Sequence, residues 1–199
     1  MFSGAFPATV MPDAEWWEAL WPRPEAVVEE IGVAAGTDAI DLCCGDGLFT
    51  VPLAAMARQV IAIDLDPAML ERAQARTAAA GVKNCAFIAA DAYDVARVVA
   101  ASVDLVLIAN TFHGVPDKPR LARAVASVLR PGGRFAVINW HRRPREETTV
   151  LGSPRGPKTE MRMTPEEVAA AVGPVGFRAL KVVELPPYHY VAILALPDV

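Results

Sequence analysis

The stretch DLCCGDGLFT, Asp41 to Thr50, decides how this chain is read. It ends the apolar run DAIDL (38–42), places two glycines two residues apart and leads into LFTVPLAAMA, which has the composition of a helix. A strand turns into a helix here, on a loop whose glycines can take positive φ and let a ligand lie against the backbone. The helix that follows points unpaired N–H groups and its positive end at the same place, which suits a carboxylate or a phosphate. The dinucleotide fingerprint G-x-G-x-x-G is absent. Cys43 stands at its first glycine, and no third glycine follows Gly47 through Thr50. The loop therefore fits a ligand with a zwitterionic amino-acid end better than a pyrophosphate. Asp41 could take the ammonium and the helix start the carboxylate.

Working outward, QVIAIDL (59–65) reads as a second strand and DPAMLERAQARTAAAG (66–81) as its helix. Asp66 suits the cap, Pro67 the first turn and Gly81 the end. CAFIAAD (85–91) is a third strand, followed by the helix YDVARVVA. VDLVLIAN (103–110) is an unbroken apolar run, as expected of a strand buried on both faces of a parallel sheet. Leu121, Val125, Val128 and Leu129 mark a helical face stopped by RPGG, and RFAVINW (134–140) is a fifth strand. This alternation predicts a parallel sheet covered by helices on both faces, with ligands bound at its carboxyl edge.

The two ends differ from that pattern. DAEWWEALWPRPEAVVEEIGV (13–33) predicts two short helices broken at Pro22 and Pro24, with Trp16, Trp17, Leu20 and Trp21 on one apolar face. TPEEVAAAVG (164–173) carries a capping box, Thr164 with Glu167. The last two strands, FRALKVVEL and YHYVAILAL, are joined by Pro186 and Pro187. That link is too short for a parallel crossover, so they pair antiparallel or not at all.

With 199 residues, 53% hydrophobic and 21% charged, the chain suits one domain with a sizeable core. A net charge of −4 argues against a nucleic-acid partner, since it gives no overall field for polyanions. Three cysteines, two adjacent, are no disulfide framework and point to a reducing compartment. MFSGAFPATVMPDAEWW lacks a basic n-region and is a poor signal peptide, and no apolar run approaches bilayer length. The expectation is a cytoplasmic protein with no membrane contact.

The segments DLCCGDG, IAIDLDPAML, ADAYD, VDLVLIANTFHGVPD and LRPGGRFAVINW, in this order and spacing, resemble the class I S-adenosylmethionine-dependent methyltransferases. The likeness is to small bacterial forms similar to ubiquinone and menaquinone methyltransferases. It covers residues 38 to 140 closely, and the terminal hairpin agrees. It implies a Rossmann-like, doubly wound α/β sheet of seven strands, mostly parallel, with a C-terminal antiparallel hairpin. It also implies S-adenosylmethionine as cofactor, with S-adenosylhomocysteine as product, and a small-molecule methyl acceptor.

Carried over residue by residue, the resemblance gives Asp41 and Gly45 to the methionine part of the cofactor, with Cys43 and Gly47 in the same cofactor-binding loop. Asp64 falls to the ribose hydroxyls, Leu65 to the adenine face, Asp91 and the Ala92 N–H to the adenine edge, and Asn110 to the neighbourhood of the transferring methyl. Cys43 departs from the family's usual glycine, and a positive φ there would be strained. The domain divides into an N-terminal helical lid (1–32), a cofactor-binding core (33–140), a long substrate-side loop (141–163) and a final helix and hairpin (164–199).

A sulfonium is already electrophilic, so methyl transfer chiefly needs alignment and exclusion of water. His113, just past the fourth strand, and His141, past the fifth, are the candidates for a base or a substrate contact. NTFH lacks the Asn/Asp-Pro-Pro-aromatic motif of enzymes that methylate nucleic-acid amino groups. Residues 141–163 hold six Lys or Arg against three acids, and Arg142, Arg143, Arg145 and Arg155 could recognise an anionic group. The cysteines read as inert buried thiols, and no metal is expected. A non-catalytic cofactor-binding module and a nucleotide-dependent oxidoreductase are the competing readings.

Overall fold

The computed structural model describes residues 11–197. The chain runs through α1 (Ala14–Leu20), α2 (Pro24–Ile31), β1 (Asp38–Leu42), α3 (Thr50–Met56), β2 (Gln59–Asp64), α4 (Pro67–Ala79), β3 (Cys85–Ala89), α5 (Val95–Val98), β4 (Val103–Ala109), α6 (Lys118–Val128) and β5 (Leu129–Trp140). A short ribbon of β6 (Thr149–Val150) and β7 (Ser153–Pro154) follows, then α7 (Pro165–Val172), β8 (Arg178–Leu185) and β9 (His189–Ala195). The main sheet has seven strands in the order β3-β2-β1-β4-β5-β9-β8. The first five are parallel neighbours, and β9 runs antiparallel to both β5 and β8. The short Pro186–Pro187 link thus closes a hairpin whose second strand inserts between β5 and β8.

Strand alternation explains why helices cover both faces. Ile40, Leu42, Val106 and Ile108 point into one core with residues of α5, α6 and α7. Ala39, Leu105 and Leu107 point the other way, into a core with α1, α2 and α3. Each fully buried Leu or Val here contributes about 1.5–3 kcal/mol, so β1 and β4 are pinned from both sides. The expected signals fix the helix ends. The Asp66 side chain accepts from the Ala68 N–H at 2.9 Å at the start of α4, and Thr164 and Glu167 exchange the two bonds of a capping box.

Two expectations shift. Leu129 opens β5 rather than ending α6, so RPGG lies inside the strand, beside a register shift in β4 between Val103 and Leu105. Residues 141–163 are not structureless. They hold the ribbon and two 3-10 turns around Arg162, which is fully buried. Of the expected N-terminal lid, residues 1–10 lie outside the described residues. Residues 14–31 pack against the sheet through Trp16, Trp17, Leu20, Trp21, Val28 and Ile31. No described helix is long and apolar enough to cross a membrane.

Candidate active site

A cavity of about 590 Å³ lies along the carboxyl edge of the parallel strands. Its wall takes Asp91 after β3, Asp64 from the end of β2, Asp41 and Cys43 at the end of β1, Asn110 after β4 and Trp140 from the end of β5. From β3 to β5 the rim crosses four strand intervals of about 4.8 Å, hence about 19 Å.

The loop after β1 is tied to β2. The Cys44 N–H donates to the Ile63 carbonyl at 3.0 Å and the Gly45 N–H to Asp64 Oδ2 at 2.8 Å. Cys43 has φ of 61° and Asn110 of 58°, so two non-glycine residues hold the left-handed conformation at the same wall. Such positions cost of order ~1 kcal/mol each and cluster at functional sites. Gly45 and Gly47 do different work. A Cβ on Gly45 would meet Met11 Sδ at 2.7 Å, on the cavity side. A Cβ on Gly47 would lie 2.9 Å from the Cα of Ala73, so this glycine lets α4 approach the loop.

The carboxylates are not equivalent. Asp41 is buried and accepts from the Thr50 hydroxyl at 2.6 Å, and burial pushes its pKa up to about 7 against that bond. Asp64 is also raised by burial, opposed by the Asp66 and Gly45 N–H bonds. Asp91 Oδ1 accepts from the Tyr93 N–H at 2.9 Å. Both amide atoms of Asn110 are buried without a partner. His113 lies 3.4 Å, Nδ1 to Oδ1, from Asn139, and burial pushes its pKa down to about 4. Burial pushes the Cys43 and Cys44 thiols far up, which keeps them protonated. No disulfide joins the three cysteines, and among the described residues no cluster of His, Cys, Asp or Glu could hold a metal.

Residues 39–133 match the family described as Methyltransferase domain. The ubiquinone biosynthesis O-methyltransferase of Xanthomonas axonopodis pv. citri (strain 306) is 30% identical over 138 residues, 65% of this chain and 57% of that protein. The tRNA 5-carboxymethoxyuridine methyltransferase of Escherichia coli (strain K12) is 35% identical over 123 residues, 61% of this chain and 47% of that one. The chain thus spans about half the length of the curated relatives it matches. A crystal structure of a SAM dependent methyltransferase from Aquifex aeolicus shares the fold, with a TM-score of 0.75 and 24% identity over 92% of this chain and 94% of that one. Residues 39–133 of this chain thus form a methyltransferase domain, on the fold of an S-adenosylmethionine-dependent methyltransferase.

The family's cofactor can be tested against this methyltransferase domain's own atoms. A carboxylate offers about four lone-pair positions. Backbone N–H groups take one on each oxygen of Asp64, which leaves capacity for a diol. Asp91 keeps one oxygen without a protein partner. The orphaned amide of Asn110 is costly unless a ligand satisfies it. Carboxylates at three successive strand ends suit a molecule with an ammonium, a diol and an amine. The residues fit S-adenosylmethionine.

Of the residues singled out from the sequence, Asp41, Cys43, Gly45, Asp64, Leu65, Asp91, Ala92, Asn110, His113, Arg145 and Arg155 line this cavity. Four do not. Gly47 is turned to α4. His141 Nε2 bonds Glu184 at 2.7 Å while its ring packs on Tyr190. Arg142 is spent on the Arg162 carbonyl and on Glu167, and Arg143 is exposed. The sequence reading missed Met11, Trp140, Gly156 and Pro157 on the wall, and Asn139 behind His113. Trp140 follows from its place at the end of β5. Nothing local marks the others.

Proposed function

We propose that this chain transfers the methyl group of S-adenosylmethionine to a small molecule held in the same cavity. One observation carries the reading: one continuous cavity wall joins the strand-end carboxylates of β1–β3 to Trp16 and Trp17 of α1, Trp140 of β5 and the arginines that follow it. When bound, the cofactor supplies a methyl group on a sulfonium that needs no further activation. Asp64 and Asp91 would hold the nucleoside, Asp41 and the Gly45 loop the amino-acid end, and Asn110 would complete the wall beside the methyl. Trp16 and Trp17 of α1 cover the site as a lid and keep water out, which favours transfer over hydrolysis. His113 is neutral at working pH, and with a pKa of about 4 it holds an abstracted proton poorly. Its role is to accept a hydrogen bond and orient the acceptor.

The Escherichia coli relative is named as a tRNA methyltransferase, which raises a nucleic-acid acceptor as the second reading. The net charge of −4 favours the small molecule. Isothermal titration with S-adenosylhomocysteine and with NAD, followed by radiolabelled methyl transfer into fractionated cell extract, tests both. Label in the small-molecule fraction supports the proposal. Label only in RNA, or binding of NAD in place of S-adenosylhomocysteine, overturns it. Cofactor binding with no label anywhere assigns the chain to non-catalytic binding.

A further inference from the structure

His113 is held from two sides, and only one of its ring nitrogens is left over. Lys118 Nζ donates to the His113 carbonyl at 3.3 Å and to the Val115 carbonyl at 2.8 Å, which fixes the short turn after β4 that carries the histidine. The ring's Nδ1 faces Asn139 Oδ1 on β5 at 3.4 Å. Its Nε2 has no hydrogen-bond partner among the described residues and is not closed off from solvent. His113 is partly buried and lines the cavity, whereas Asn139 is fully buried behind it. Nε2 is therefore the atom that this side chain offers to a ligand.

What Nε2 offers depends on which nitrogen carries the proton, and the residues behind His113 decide that. Asn139 stands opposite Tyr190 in the antiparallel pairing of β5 with β9, so their side chains share one face. The Tyr190 hydroxyl lies 2.8 Å from the Met163 carbonyl. A carbonyl oxygen only accepts, so the tyrosine must donate there, and its own oxygen keeps lone pairs for a donor. The Asn139 N–H groups are turned to it without completing a bond, and they oppose the rise that burial causes in the Tyr190 pKa. Turned the other way, the amide would set its oxygen against a phenol oxygen whose proton is already committed. Oδ1 is thus directed to His113. It too only accepts, so Nδ1 must carry the hydrogen and Nε2 the lone pair. No second proton blurs this, because burial pushes the ring's pKa down to about 4, with the Asn139 bond opposing and the charges of Lys118 and Arg162 adding to the fall.

We propose that Asn139 is a positioning residue that holds His113 with Nδ1 protonated and Nε2 bare, so that the methyl acceptor meets this wall with a hydroxyl or N–H donor. This rests on the methyl-transfer reading for the identity of the ligand, while Met163, Tyr190 and Asn139 fix the tautomer whatever the cavity holds. A carboxylate or carbonyl oxygen at the same point would meet Nε2 lone pair to lone pair and lose its hydration without return. A donor there gains a bond whose direction is set in advance by a fully buried residue.

The test uses the full chain, isotope-labelled at its histidine ring nitrogens and saturated with S-adenosylhomocysteine, at about pH 7. Long-range proton–nitrogen NMR separates a protonated ring nitrogen from a bare one, and His113→Gln identifies the signals. Wild type is expected to show His113 in one tautomer, protonated on Nδ1. Asn139→Leu is expected to shift it to the Nε2-protonated form that imidazole favours in water, and Tyr190→Phe to give a mixture. Asn139→Asp keeps an acceptor, so Nδ1 should stay protonated while the added charge raises the His113 pKa. A part played in packing alone would leave the tautomer and that pKa unmoved. If Asn139→Leu does not fold, the other two variants decide. Phenol and fluorobenzene then serve as probes of one shape, with and without a donor. Phenol is expected to move the Nε2 resonance and to bind about fivefold more tightly, an advantage that Asn139→Leu removes without changing fluorobenzene binding. A wild-type ring protonated on Nε2, or a tautomer that Asn139→Leu leaves in place, overturns the positioning role. Equal binding of the two probes, or an Nε2 resonance that phenol leaves unmoved, overturns the donor assignment. If S-adenosylhomocysteine itself does not bind, the methyl-transfer reading has failed, and the tautomer of the free protein still decides the role of Asn139.

Discussion

Changing Asp41 to asparagine across a pH series tests whether this buried carboxylate receives the cofactor's ammonium. In the free protein its pKa is about 7, raised by burial from an ordinary 3.8. The sign follows from that direction. The native state holds this proton more tightly than the unfolded chain, so the group's stabilising effect is complete below about pH 4 and is lost as pH rises toward 7. The loss is about 1.4 kcal/mol per pH unit, or about 4 kcal/mol over the window. A bound ammonium returns the carboxylate to its ionised form, so binding expels the proton. Affinity for S-adenosylhomocysteine should then rise about fivefold between about pH 6 and about pH 7, level off, and fall once the ligand's own amine deprotonates near pH 8.

Calorimetry in two buffers of different ionisation enthalpy counts that proton directly, and about half a proton should be released per ligand at pH 7. Asp64 is also raised and titrates in the same direction, so the difference between wild type and Asp41→Asn isolates one group. The variant should bind more weakly, lose most of the pH dependence and show a flatter stability curve between about pH 4 and about pH 7. Thr50→Val, which deletes the hydroxyl bond to Oδ2, should move the wild-type binding curve to higher pH. Unchanged proton release in Asp41→Asn would refute the reasoning, whatever the absolute affinity.

Four further outcomes follow from the geometry. Asp64→Ala removes the acceptor of two backbone N–H groups as well as the proposed diol contact, and should cost at least about tenfold in S-adenosylhomocysteine affinity by calorimetry, with Asp64→Asn recovering part of it. Arg162→Leu strips donors from the carbonyls of Arg143, Arg155 and Pro157 and from Thr148 Oγ1, and should destabilise by about 3 kcal/mol or more in urea titration and expose amides 141–163 to hydrogen exchange. Gly47→Ala must seat a methyl 2.9 Å from Ala73 at a φ of 85°, and should lower stability by about 1–3 kcal/mol in thermal melts. Because His113 stays neutral, its ionisation should leave turnover flat between about pH 5.5 and about pH 7 once the Asp41 effect on binding is removed by saturating cofactor.

The parts of this molecule that could be read from its sequence are those where one local rule and the global fold agree. Beyond Asp104 at its start, the strand Val103–Ala109 has no polar face to hide, so it had to be a central strand. Asp66-Pro67 and Thr164 with Glu167 mark helix starts by chemistry that works without tertiary help. The strand-end carboxylates were legible for a similar reason, since a parallel sheet brings successive carboxyl ends to one rim. The substrate side was not legible, because its order comes from contacts distant in sequence. The ribbon at residues 149–154 turns on Leu151-Gly152, both at positive φ, where asparagine or aspartate before glycine would have signalled a hairpin. Arg162 looked like one more charge in a basic loop, yet its guanidinium lies over Trp140 at 5.0 Å and gathers four backbone and hydroxyl acceptors without a carboxylate. The four arginines named as equals are separated by the same cause. Glu167 and the Arg162 carbonyl draw Arg142 away, Arg143 stays in solvent, and only the two arginines flanking the buried one reach the cavity. The buried cation thus sets which exposed ones can meet a substrate.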